Sequence, residues 1–135
     1  VTGVHYLSDH HLLRLAELAC GGEVLVRDHG LLASAAERPA AALFGEEQYP
    51  SLLEKAAALM HSIARFQPLV DGNERLAWIA AATLCELNGA CVVATNDRAV
   101  EITMAVAAGE VGDVRDIAKA LEPLFDLEAT FPAGP

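Results

Sequence analysis

The stretch Gln67 to Arg75, reading Gln-Pro-Leu-Val-Asp-Gly-Asn-Glu-Arg, joins two helix-forming segments and constrains the fold more than any other part of the chain. Before it, Ser51-Leu-Leu-Glu54 has the form of a capping box. That box opens a helix to Phe66 whose apolar stripe holds Leu52, Leu53, Ala56, Ala57, Leu59, Met60, Ile63 and Ala64. After it, the segment from Asn73 to Leu87 is apolar nearly all round, which predicts the buried central helix. A bend between two packed helices aims the free N–H groups of the second, with the positive end of its dipole, at one spot. Such a spot is a ready anion site.

The rest of the chain reads as further helices. Ser8 or Asp9 caps a first helix through Cys20, with a stripe of Leu12, Leu13, Leu15, Ala16 and Ala19, and Gly21-Gly22 ends it. Asp28 caps a short helix over Leu31 to Ala36 that stops before Pro39. Residues 39–49 read as a loop or a broken short helix, and Tyr49-Pro50 forces an extended break. Asn88-Gly89 is a helix stop, and Ala90 to Ala94 is a short β-branched piece, extended if anything. Thr95 caps a helix through Ala108 that Gly109 stops, and Asp113 caps a last one to Glu122, where Pro123 ends or kinks it. The expectation is an all-α compact helical bundle of about six helices, with the motif loop between two central ones. It forms a single domain over residues 1–125, and residues 126–135, with Pro132 and Pro135, are expected to fray.

The 135 residues suffice for one domain with one core, and 53% of them are hydrophobic, mostly Ala, Leu and Val. No charge-free apolar run reaches the roughly 18 residues of a transmembrane helix. The start lacks the basic end and apolar block of a signal peptide, so a cytoplasmic site is expected. A formal net charge of −10 argues against DNA or RNA as a partner, because nucleic-acid binding needs a basic stripe; it permits a basic protein partner. Cys20, Cys85 and Cys91 show no C-x-x-C spacing and fit reduced thiols, with Cys85 packed in an apolar helix.

Within the bend, Gly72 lets the backbone come close to a ligand. Asp71 offers the hard oxygen that Mg²⁺ prefers, and Arg75 offers a planar fork for phosphate oxygens. The segment resembles the signature of the Fic/Doc family, His-Pro-Phe-x-(Asp/Glu)-Gly-Asn-x-Arg. It matches at Pro68, Asp71, Gly72, Asn73 and Arg75. It departs at Gln67, which stands at the family's catalytic His, at Leu69, which replaces a buried Phe, and at Glu74. Doc-type proteins carry Lys at that last place, and AMP-transferring members usually carry Gly. Val26 to Pro39, the Leu-Asn-Gly ending at Gly89 and Val106 to Glu110 also look Doc-like, so the resemblance runs from Tyr6 to Leu124.

The resemblance implies a Fic/Doc-like fold and an activity that moves an AMP or the terminal phosphate of ATP, with Mg²⁺, onto a protein hydroxyl. It implies a target such as a translation factor, elongation factor Tu in the Doc case, and a Phd-like antitoxin that lays a helical tail into a groove. It places Gln67, Asp71 and Arg75 at the catalytic positions, Asp71 on the metal, and Gly72, Asn73, Glu74 and Arg75 around the nucleotide. A carboxamide has no useful pKa, and losing a positioned base costs about 10²–10⁴ in rate, so weakened or lost transfer is expected. A catalytically inactive, protein-binding family member is the alternative.

Each position also has a plain structural use. Asp71 caps the following helix, Asn73 makes a local turn contact, and Asp71-x-x-Glu74 mimics a capping box. Glu74 beside a triphosphate would repel it by a few kcal/mol at about 4 Å and an effective dielectric of about 20. Arg75 has a carboxylate such as Glu74 as its structural partner. His61 offers itself as a substitute base, though a lone His on a core helix is more often a hydrogen-bonded structural residue. Trp78 reads as core. No Ser/Thr-x-x-x-Glu-Gly/Asn inhibitory signature is found, so self-inhibition by an internal Glu is not expected.

Overall fold

The computed structural model describes residues 3–128; the tail from 129 to 135, part of the segment expected to fray, lies outside them. Six α-helices carry the fold: α1 Asp9–Cys20, α2 His29–Glu37, α3 Leu52–Phe66, α4 Asn73–Leu87, α5 Asn96–Ala107 and α6 Val114–Leu121. Their starts are built by the side chains the sequence offers. Ser8, Asp28, Ser51, Thr95 and Asp113 each accept a backbone N–H from the first turn of the helix that follows. At α1 the cap is reciprocal, because His11 Nδ1 accepts the Ser8 N–H at 3.0 Å while Ser8 Oγ accepts the His11 N–H at 3.2 Å.

The most enclosed helix is α3 rather than the more uniformly apolar α4. Ten of the fifteen residues of α3 are buried, against eight of fifteen in α4. α3 packs against α2, α4, α5 and α6, and only its last turn, at Arg65 and Phe66, is exposed. Facing alanines allow the close approach: Ala56, Ala57, Ala58 and Ala64 on α3 and Ala77, Ala80 and Ala81 on α4 are all fully buried. Apolarity alone does not decide burial here. α4 keeps Trp78 and Ile79 half-exposed, and Trp78 lies 5.7 Å from the Phe125 ring, at the margin of the core.

Residues 39–49 are more ordered than a loop. A 3-10 turn over Arg38–Ala40 leads into a hairpin of β1 Ala42–Leu43 and β2 Glu46–Glu47, paired antiparallel with Ala42 opposite Glu47. Lys55, 1% exposed on α3, ties this hairpin down. Its Nζ donates to Tyr49 O at 2.6 Å and to Glu47 Oε1 at 2.9 Å. The extended piece after α4 becomes β3 Cys91–Val92, which pairs antiparallel with β4 Phe125–Asp126. A turn follows β4 through residue 128, with the Glu128 N–H donated to Asp126 Oδ1 at 3.0 Å. Among the described residues, no helix is long and apolar enough to cross a membrane.

Candidate active site

α3 ends at Phe66, and Gln67 follows in a left-handed conformation, φ 51° and ψ 68°, with its N–H donated to Ile63 O at 3.1 Å. That position is usually glycine. A strap over residues 24–28 crosses beneath the turn. Val26 bridges Leu69 antiparallel, and Val70 N–H donates to Leu25 O at 2.9 Å. The N–H groups of Arg27 and Asp28 both reach Pro68 O, at 2.7 and 3.0 Å. The Arg27 guanidinium completes the seam, donating from Nη2 to Phe66 O at 2.6 Å and from Nε to Gln67 O at 2.8 Å.

Leu69 is 1% exposed and anchors the loop in the core. Asn73, also buried, holds Leu69 with its whole carboxamide: Oδ1 accepts the Leu69 N–H at 2.9 Å and Nδ2 donates to Leu69 O at 3.0 Å. The Asn73 side chain is therefore committed to the loop, and what it leaves for a ligand is its backbone amide. Gly72, at φ 88°, is the N-cap of α4. A Cβ there would lie 2.9 Å from Cys20 Sγ, so both the backbone angle and the space require glycine.

The capping box expected from Asp71 and Glu74 does not form, and α4 has no side-chain cap. Asp71 sits one residue too early; its Oδ1 instead accepts the N–H of Gly72 at 2.9 Å. The amides of Asn73, Glu74 and Arg75 consequently have no hydrogen-bond partner among the described residues, and these are the orphan donors of a helix start. Asp71, Gly72, Glu74 and Arg75 line a cleft of about 630 Å³ whose other walls are Cys20, Glu23, Val24, Leu25, Val70 and Met104. Arg75 is exposed and makes no ion pair among the described residues, so the expected carboxylate partner is not there. Gln67 is exposed and lies outside this lining, one turn of chain away.

A second cleft of about 470 Å³ adjoins the first, sharing Glu74, Arg75 and Met104. It lies between α1, α4 and α5, with Ala19, Trp78, Ile79 and Val100 in its walls. Trp78 packs against the core, as expected, and also presents part of its surface to this cleft.

His61 is placed as structure. Its Nδ1 lies 2.8 Å from Arg38 Nη1, which can only donate, so Nδ1 accepts and the ring is neutral. Burial, then the charges of Arg38 and Arg65, hold its pKa below the ordinary value. Arg38 also donates to Tyr49 Oη at 3.0 Å and Ser62 Oγ at 3.0 Å, tying α2 to α3. No spacing signal announced Arg27 or Arg38, because their partners lie 11 to 40 residues away in sequence. Among the described residues no three His, Cys, Asp or Glu side chains converge on a metal. A single carboxylate such as Asp71 still suits Mg²⁺, which takes one or two carboxylates plus substrate phosphates and keeps its own waters.

Together these features define a class: a mainly helical domain built around an Asp-Gly-Asn loop that opens onto an uncapped helix start. The sequence profile of the Fic/DOC family matches residues 5–85, which include α3 and the whole loop. Over 92 residues the chain is 48% identical to "Toxin Doc" of Mycolicibacterium smegmatis, covering 68% of this chain and 71% of that one. The chain belongs to the Fic/Doc family.

Proposed function

We propose that this protein is a Doc-type toxin-like member whose loop seats the phosphates of a nucleotide, and that transfer of a phosphoryl or nucleotidyl group to a protein hydroxyl is weakened or lost. The observation that carries the reading is the set of unpartnered amides of Asn73, Glu74 and Arg75 beside the exposed Arg75 guanidinium. In this reading the amides donate to phosphate oxygens, the guanidinium clamps one of them in its fork, and Asp71 holds Mg²⁺ on the nucleotide. The metal, when bound, neutralises charge developing on the transferred group.

Two residues weaken the reaction. Gln67 stands where the resemblance puts the family's base, and its carboxamide orients a hydroxyl without accepting the proton. Glu74 lines the cleft without folding back as a cap, so its charge faces the space that phosphate would fill. Gln67→His with Glu74→Lys is therefore expected to raise label transfer from ATP by about 10²–10⁴. Unchanged transfer in the double variant, with nucleotide still bound, would put the loss elsewhere.

The second cleft supports a role in protein binding that needs no catalysis. Its walls are largely apolar, Val100 and Met104 are more than half exposed, and a groove of this kind fits the apolar face of a partner's helix. The toxin name of the relative makes an antitoxin the partner to test first. Because Glu74 and Arg75 line both clefts, a helix seated in the second would cover part of the first.

A further inference from the structure

We infer that Arg27 is a positioning residue that fixes the direction of the side chain at position 67, an inference that rests on reading the loop as a group-transfer site. Phe66 O belongs to the peptide plane before the Gln67 Cα, and Gln67 O to the plane after it. The Arg27 guanidinium holds both, at 2.6 and 2.8 Å. Two fixed planes fix φ and ψ at that Cα, and φ and ψ set where Cβ points.

The conformation needs such a hold. A left-handed residue other than glycine costs about 1–2 kcal/mol. Gln67 nonetheless adopts φ 51° and ψ 68°. Such strain persists only where surrounding contacts over-determine it. Arg27 supplies them in a form no other side chain matches. Its rigid fork bridges successive carbonyls, and its charge suits the negative end of α3. Its own N–H on Pro68 O anchors it to the turn at 2.7 Å. It makes no ion pair among the described residues and lies outside the cleft lining, so it acts through residue 67 and not on a substrate.

The test uses the full chain with Arg27→Ala and Arg27→Lys, and Asn88→Ala as a control. Asn88 donates to His5 O and Leu84 O far from the turn, so its loss destabilises without touching residue 67. Backbone NMR shifts and couplings at Gln67 report the left-handed state, and amide exchange is read at Gln67 and Val70. Arg27→Ala is expected to shift residue 67 away from the left-handed signature and to speed exchange at both amides by about tenfold. Arg27→Lys, reaching one carbonyl, recovers part of this, and Asn88→Ala leaves the signature in place. An unchanged signature and unchanged exchange in Arg27→Ala overturn the inference. None of these readouts needs nucleotide, so they stand whether or not the transferase reading does. In a Gln67→His chain that transfers label, Arg27→Ala lowers kcat at constant nucleotide KM; a rise in KM alone also overturns it.

Discussion

The carboxamide of Asn73 grips the backbone of Leu69 from both sides, taking its N–H at 2.9 Å and giving to its carbonyl at 3.0 Å. Both groups are buried, so neither can turn to water instead. Asn73→Ala strands a donor and an acceptor and is expected to cost about 2–4 kcal/mol, read by denaturant unfolding. Asn73→Asp keeps the acceptor and sets a carboxylate against Leu69 O, so it should be no milder. A loss below about 0.5 kcal/mol, the size of an ordinary surface change, would show that the loop does not depend on this grip.

Gly72→Ala meets two obstacles, a positive φ and the Cys20 sulfur at 2.9 Å. The backbone part alone costs about 1–2 kcal/mol. Removing the sulfur with Cys20→Ala relieves only the steric part. A double-mutant cycle should therefore give a favourable coupling between the positions, and strict additivity would contradict the packing described.

His61 makes stability depend on pH in a defined direction. Its folded pKa lies below its ordinary value of 6.5, from burial and then from Arg38 and Arg65. As pH falls through 6.5, the unfolded chain takes up a proton that the folded ring refuses, so stability drops and continues to drop toward the lower folded pKa. Melting temperatures of wild type and His61→Gln between pH 7 and about 5 should diverge in slope, the variant falling less steeply. Parallel curves would mean that the ring titrates normally.

Burial, followed by the charge of Glu86, pushes the Cys85 thiol up to about 12. In the native protein at neutral pH an alkylating reagent should label Cys20 and Cys91, both partly exposed, well before Cys85. Mass spectrometry of the modified peptides decides, and early labelling of Cys85 would mean that α4 opens readily.

The helices were legible because their signals are local. Ser8, Asp28, Ser51, Thr95 and Asp113 lie directly before the helices they cap, and periodicity supplies the buried faces. The hairpin over residues 42–47 was not legible, since it is held by a lysine eight residues from its Glu47 partner that interrupts an apolar helix face. At the site, Asp71, Gly72, Glu74 and Arg75, which line the first cleft, stand together in the loop itself and could be singled out there. Their supports could not be. Arg27 reaches its carbonyls across 39 and 40 residues, and only the fold brings them together. Asp71 and Glu74 mislead for the opposite reason: they have the spacing of a capping box, yet Gly72 takes the cap position because its left-handed backbone starts α4 one residue later.

The central claim is that the start of α4 seats a nucleotide's phosphates. Amide NMR of the ¹⁵N-labelled full chain titrated with ATP and Mg²⁺ tests it most directly. The account predicts saturable shifts at Asn73, Glu74 and Arg75, strengthened by Glu74→Lys and abolished by Arg75→Ala. Shifts absent at millimolar nucleotide even in Glu74→Lys, or confined to residues away from this turn, would contradict it.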